Sequence, residues 1–288
     1  MTSVVYTSDL HGDLDLYSAA GEAAVQRQAD ALILGGDLCP GAPSASALRL
    51  PIDQPEFLLH QLSPLLYAWK EAHPPLRIFA IPGNDDCQTV LPVLEELELN
   101  GLIENLHQET RTFGAYNLLG LSFVPPTPFA LKDFERRDTA QDSRPESESY
   151  RCVFGTPGGF RVIEDFATYL DSLPTIEQEL TRLPVRAPGR TVAVVHSPPF
   201  DTRCDVLFDG SHVGSKALRG WIEREQPLLT LHGHIHESPK QSGAFVDHIG
   251  QTIVINPGCN HSRPHLVFLT LENLTEIEHS VFGKARIT

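Results

Sequence analysis

Short apolar runs alternate along the first half of the chain with stretches whose apolar positions recur every three or four residues, the pattern of strands followed by helices. Val4, Val5 and Tyr6 predict a strand, and Leu14, Tyr17, Ala20 and Ala24 a helix. A strand at residues 31–34 follows. Asp53 then caps a helix opened by Pro55, with Phe57, Leu58, Gln61, Leu62, Leu65, Leu66 and Trp69 along one stripe. Pro64 lacks an N–H and crowds the preceding turn, which predicts a kink there. A strand at 76–81 leads into a helix at 89–99, with Val90, Leu91, Leu94 and Leu97 on one face. From Leu102 the period shortens: residues 111–113 and 116–124 read as strands hinged at Gly114.

Residues 125–189 interrupt this alternation. Pro125-Pro126-Thr127-Pro128 is extended and stiff. Residues 132–151 are highly polar and aperiodic, which predicts a mobile, solvated loop. Ile163, Phe166, Leu170, Leu173, Ile176, Leu180 and Leu183 restore helical spacing, broken at Pro174. The stretch reads as an insertion or lid, or else as a surface excursion, within a single domain spanning residues 1–288. Beyond it come a strand at 191–195, a helix at 215–224, a strand at 228–231 and a hairpin of 244–249 with 252–255 about Gly250-Gln251. Residues 266–271 and 277–282 close the chain as strands. An alternating half followed by a strand-rich half suits a four-layer α/β/β/α sandwich with two mixed sheets.

The apolar runs end in side chains able to bind metal. Asp9 and His11, Asp37, Asn84 with Asp85 and Asp86, His196, and His234 with His236 each follow such a run. In open α/β sheets, ligands collect outside the carboxyl ends of strands. Asp9, Asp37, four of these histidines and Asn84 are too many donors for one ion and suit two. A set without thiolate favours Mn, Fe, Zn, Ni or Co.

Composition narrows the function class. The chain has 288 residues and a formal net charge of -15, which argues against general nucleic-acid affinity because no basic surface is available to displace counterions. It leaves a phosphate substrate open, since bound cations can supply local positive charge. Five scattered cysteines without a Cys-x-x-Cys pattern argue for a reducing cytoplasm, and no apolar stretch is long enough to span a membrane. A homo-oligomer stays open.

In chain order, Asp9-Leu10-His11, Gly35-Gly36-Asp37, Gly83-Asn84-Asp85-Asp86, His196 and Gly233-His234-Ile235-His236 resemble the five blocks of the calcineurin-like metallophosphoesterases, and among them the small bacterial and archaeal enzymes. The resemblance runs from Val4 to about Asn256. It implies that Asp9, His11 and His236 hold one divalent ion, that Asn84, His196 and His234 hold a second, and that Asp37 bridges them. It further implies hydrolysis of phosphodiesters or phosphomonoesters of small molecules by a metal-bridging hydroxide. Asn84 and Asp85 are then the catalytic candidates, with Asp86, Asn256 and His261 supporting the ligands from behind. One position departs from the family pattern: Asp85 stands where a histidine usually serves the leaving group. A carboxyl could replace it only if its pKa were raised by burial or by Asp86 beside it. Otherwise esters with acidic leaving groups should be favoured. Two alternatives share the resemblance: a catalytically weak scaffold or binding protein on the same fold, and a nuclease. His232 reads as a locally bonded residue, His212 and His261 as loop residues able to approach the mouth, and His60, His73, His107, His248 and His279 as surface residues.

Overall fold

The computed structural model describes residues 1–41, 53–142, 151–260 and 262–287. In the first sheet, β1 (Ser3–Thr7), β2 (Ala31–Leu34), β3 (Arg77–Ala80) and β4 (Glu104–Asn105) run parallel. On the other edge of β1 the antiparallel strands β13 (Val267–Thr270), β14 (Asn273–His279) and β15 (Gly283–Arg286) are added in turn. The second sheet has β6 (Tyr116–Leu121), β9 (Thr191–Val195), β10 (Leu229–Leu231) and β12 (Thr252–Ile255) in parallel. Its antiparallel edges are β5 (Thr110–Phe113) and β11 (Val246–Ile249).

Alternation along these strands explains the layering, because successive side chains face opposite sides of a sheet. Val4, Tyr6, Ala31, Ile33 and Phe79 face inward and meet Leu118, Val192, Val194, Leu229 and Ile255 of the second sheet. Val5, Leu32, Leu34, Ile78 and Ala80 face outward, against α1 (Leu14–Gln26), α3 (Ser63–Ala72) and α4 (Leu91–Leu99). On the far side, Leu119, Leu121, Ala193, Val195 and Val254 pack on α6 (Ile176–Thr181) and α7 (Lys216–Glu225). The result is an α/β/β/α sandwich of two mixed sheets, as the sequence pattern predicts. A side chain at Gly21 of α1 would collide with the Trp69 ring of α3, so this glycine permits the close crossing of the two helices.

Several sequence expectations need correction. At Pro64 the helical run from Gln54 to Ala72 departs from α geometry rather than breaking. A π-helical segment, Leu58–Leu62, precedes the proline, with Ser63 N–H bonded to Leu58 O, and Pro64 falls in the first turn of α3. The widened turn makes room for the proline ring, and an N–H is not needed at that position. The strand expected to reach residue 124 ends at Leu121, and β14 starts at Asn273 rather than 277. The sequence pattern did not show β15, nor the small hairpin β7 (Val153–Thr156) with β8 (Gly159–Val162).

The largest correction concerns residues 132–142, expected to be solvated and mobile. Lys132 and Glu135 are fully buried and paired at 3.0 Å, and Lys132 Nζ also donates to Thr127 O at 2.7 Å. The Thr127 hydroxyl donates to the same Glu135 carboxylate. Asp133 accepts from the N–H groups of Gln88 and Gly155, and Asp138 accepts from Lys216 and Ala217 N–H at the N-terminus of α7, where a negative charge meets the helix dipole. Charge pairing, rather than apolar periodicity, holds this segment. Arg136 donates within it to Glu135 O, and Arg137 donates to Ala140 O and Asp142 O within it and to Asp171 beyond it. Residues 143–150, the rest of the expected loop, lie outside the described residues. The five cysteines are free, and among the described residues no helix is long and apolar enough to cross a membrane.

Candidate metal centre

The carboxyl ends of β1, β2, β3, β9, β10 and β12 open toward one place between the two sheets. Asp9 and His11 follow β1, Asp37 follows β2, Asn84 to Asp86 follow β3, His196 follows β9, and His234 and His236 follow β10. Asp9, His11, Asp37 and His234 all take the left-handed backbone region, with φ between 45° and 66°. Such conformations cost of order 1–3 kcal/mol each and persist only where neighbours over-determine them. Here Asp9 N–H bonds Gly36 O at 3.0 Å, His11 N–H bonds Asp37 O at 2.9 Å, and His234 N–H bonds the Asp9 carboxylate at 3.0 Å. Gly83 permits the tightest approach: any side chain there would strike Asp37 and His196.

The donors fall into two groups that share Asp37. Asp9, His11, Asp37 and His236 each offer one atom, all within 4.8 Å of one another. His236 Nε2 lies 3.2 Å from both Asp9 Oδ1 and His11 Nε2. In the second group, His196 Nε2 lies 3.2 Å from Asn84 Oδ1, and the His196 and His234 rings are 5.5 Å apart. Asp37 Oδ2 stands between the groups, 3.7 Å from His11 Nε2 and 3.4 Å from His196 Nε2. The structure thus brings together every described residue that the sequence motifs nominate as a ligand.

Chemistry at these atoms fits a pair of cations. His196 Nδ1 donates to Gly35 O at 2.9 Å, so in the neutral ring the lone pair is on Nε2, which faces the oxygens of Asn84 and Asp37. Buried acceptors aimed at one another require a proton or a cation between them. Burial opposes protonation of His196, yet Asp37 and then Asp9 push its pKa up to about 10. His236 is raised to about 9 by Asp9, again against burial. Asp9 and Asp37 are held low in spite of their burial, by His236 and His196 respectively. His234 goes the other way, down to about 3 through burial and the His196 charge.

The supporting residues are legible in the same terms. Asp86 is fully buried and accepts from the N–H groups of Leu38, Cys39 and Gly83, tying the loop after β2 to the loop after β3. Asn256 donates to Cys204 O, Gly233 O and Ile235 O, which holds the turn carrying His234 and His236. Asp85 donates its N–H to Asp37 Oδ1 at 2.8 Å, and its Oδ2 is 3.6 Å from His11 Nδ1. Burial, then Asp37 and Asp86, push its carboxyl up to about 8. His232 is a buried structural residue that donates to Val195 O and Ser197 O, with its pKa lowered to about 4 by burial. His212 is bonded to Asp205 at 2.7 Å and lines a cleft with Pro125, Pro126 and Val213, which also line the cavity above the ligands. His261 lies outside the described residues.

His60 and His248 are exposed as expected, but His73, His107 and His279 are buried. His265, which sequence reasoning passed over, joins His279 in donating to Pro257 O, at 2.9 and 3.0 Å, behind the Asn256 turn. Nothing in their spacing signals that role, because the shared acceptor is a backbone carbonyl.

Above the ligands opens a cavity of about 280 Å³, floored by His11, Asp37, Asn84, Asp85, His234 and His236. Residues 125–129 form one wall, and Leu207 and Val213 face them.

A family model described as calcineurin-like phosphoesterase matches residues 2–238. One solved crystal structure is similar over 98% of this chain and 99% of its own, at 17% identity and a TM-score of 0.60. The TT1561 protein of Thermus thermophilus is similar over 98% of this chain and 99% of its own, at 19% identity and a TM-score of 0.55. Among curated proteins, no sequence matches significantly.

Proposed function

The chain belongs to the calcineurin-like phosphoesterase family, and on that premise we propose that it is a dinuclear metal-dependent phosphoesterase, hydrolysing phosphodiesters or phosphomonoesters of small molecules. One observation carries the reading: a single carboxylate oxygen, Asp37 Oδ2, stands within 3.7 Å of nitrogen donors from both ligand groups. In this proposal Asp9, His11 and His236 hold one ion, Asn84, His196 and His234 hold the other, and Asp37 is shared. Mn, Fe, Zn, Ni and Co all suit such donors. Two divalent ions bound there would supply a water of lowered pKa and positive charge facing the phosphoryl oxygens.

The chain's own residues position that chemistry. Gly35 O fixes the tautomer of His196, and Asn256 fixes the turn bearing His234 and His236. The wall at residues 125–129 limits substrate size and shields the site from bulk water. No serine or cysteine nucleophile is needed, since phosphoryl transfer rests on positioning and charge.

The test is hydrolysis of bis(4-nitrophenyl) phosphate by metal-stripped protein, with each of the five metals added separately. Turnover should appear only with added metal. Binding of metal without turnover of either this diester or 4-nitrophenyl phosphate would overturn the enzyme reading and leave a scaffold on the same fold.

A further inference from the structure

The cavity above the ligands adjoins a cleft of about 420 Å³ at Pro125, Pro126 and Val213, and at its opposite end reaches His236 and Glu237. A second cavity, of about 510 Å³, opens on the other side of His236 and Glu237, both of which line each cavity. The two differ in chemistry. Phe129, Leu207, Val213 and the prolines make the first apolar. The second carries Lys240 and Arg263 together with the rings of Phe208 and Phe282. Phe129, Val213, Phe208 and Phe282 are among the large apolar side chains that the protein leaves exposed, at 53%, 37%, 74% and 41%. Exposed aromatic residues lining a concavity mark a binding surface more often than chance.

The second cavity combines an aromatic platform with positive charge from the exposed Lys240 and Arg263. Phe282 is backed by the rings of His279 at 4.8 Å, His265 at 5.5 Å and Phe245 at 6.5 Å, so its exposed face is a fixed platform. Among the described residues neither Lys240 nor Arg263 is paired with a carboxylate. Glu237 at the junction offsets part of their charge, but two cations remain against one anion. In a chain of formal net charge -15, two unpaired cations in one cleft beside the metal centre favour a negatively charged ligand group.

We propose, resting on the phosphoesterase reading above, that the substrate is an unsymmetrical phosphodiester whose two arms occupy the two cavities. The phosphate lies at the metal centre. One arm is apolar and sits between Phe129 and Val213. The other bears an aromatic ring and a second anionic group, held by Phe208, Phe282, Lys240 and Arg263. A monoester has one carbon substituent and would leave one cavity empty. In the hydrolysis, water forms a new P–O bond, the P–O bond to one arm breaks, and the water proton ends on the released oxygen or in solvent. No oxidant or reductant is required.

Three probes separate the possibilities: thymidine 3′-phosphate 5′-(4-nitrophenyl phosphate), bis(4-nitrophenyl) phosphate and 4-nitrophenyl phosphate. With metal-loaded full chain, kcat/KM should fall in that order, the first exceeding the second by at least about tenfold. Lys240→Gln combined with Arg263→Gln should erase that tenfold preference. A separate measurement needs no turnover: calorimetric binding of thymidine 3′,5′-bisphosphate to the metal-free chain should weaken about tenfold in the double variant. A monoester hydrolysed as well as the diesters, an unchanged preference in the double variant, or equal binding by both proteins would overturn the two-arm assignment. Failure of all three esters with intact bisphosphate binding would instead sink the phosphoesterase reading and keep the cleft.

Discussion

Asp85→His is expected to accelerate hydrolysis of alkyl phosphodiesters at least about 100-fold, while changing the rate on nitrophenyl esters little. The expectation follows from the group that stands at the cavity floor. In the metal-free protein, burial with Asp37 and Asp86 nearby pushes the Asp85 carboxyl up to about 8. Two bound cations act in the opposite direction, because adjacent positive charge favours the carboxylate. With the proposed pair of ions bound, Asp85 would therefore be an acceptor facing His11 Nδ1, not a proton donor. An alkoxide must then leave without help, whereas nitrophenolate needs none. An imidazolium at position 85 would supply the missing proton. The check is a series of diesters graded by leaving-group pKa: the wild type should show a steep dependence that flattens in the variant. A shallow dependence in the wild type would place the proton donor elsewhere, with His212 on Asp205 as the residue to replace next.

The second large effect concerns stability. Lys132→Met is expected to lower the unfolding free energy by about 3–5 kcal/mol, because it strands the buried Glu135 carboxylate. The double variant Lys132→Met with Glu135→Leu should recover most of the loss, since removing both charges removes the burial penalty as well. Urea unfolding of the three proteins measures both. A single-variant loss below about 1 kcal/mol would mean that the pair behaves as a solvated surface bridge. This pair also touches function, because Lys132 Nζ and Glu135 both bond Thr127, which lines the cavity above the ligands. The wall is anchored by charge, so the single variant should also loosen substrate selection.

What the sequence shows and hides follows from the physics of each element. The strand-end positions of the candidate ligands were legible because each follows a run such as Val4–Tyr6 or Leu229–Leu231 that reads as a buried strand. The four layers were legible from alternation, with Val4 and Tyr6 facing one way and Val5 the other. Residues 132–142 were not, since a core assembled from Lys132, Asp133, Glu135 and Asp138 has the composition of a solvated loop. Only the partners reveal it. The π-helical turn before Pro64 was hidden because the same stripe of leucines serves α and π turns alike. The left-handed backbone at Asp9, His11, Asp37 and His234 was invisible for a related reason: backbone strain is imposed by the hydrogen bonds of neighbouring loops, not by the residue itself.

The measurement that bears most directly on the proposed dinuclear centre is metal content by elemental analysis after saturation, for the wild type and for Asp37→Ala. The shared carboxylate requires about two metals per chain in the wild type, and a loss of at least one in the variant. A wild-type value at or below one, or an Asp37→Ala protein that keeps both metals, would contradict it.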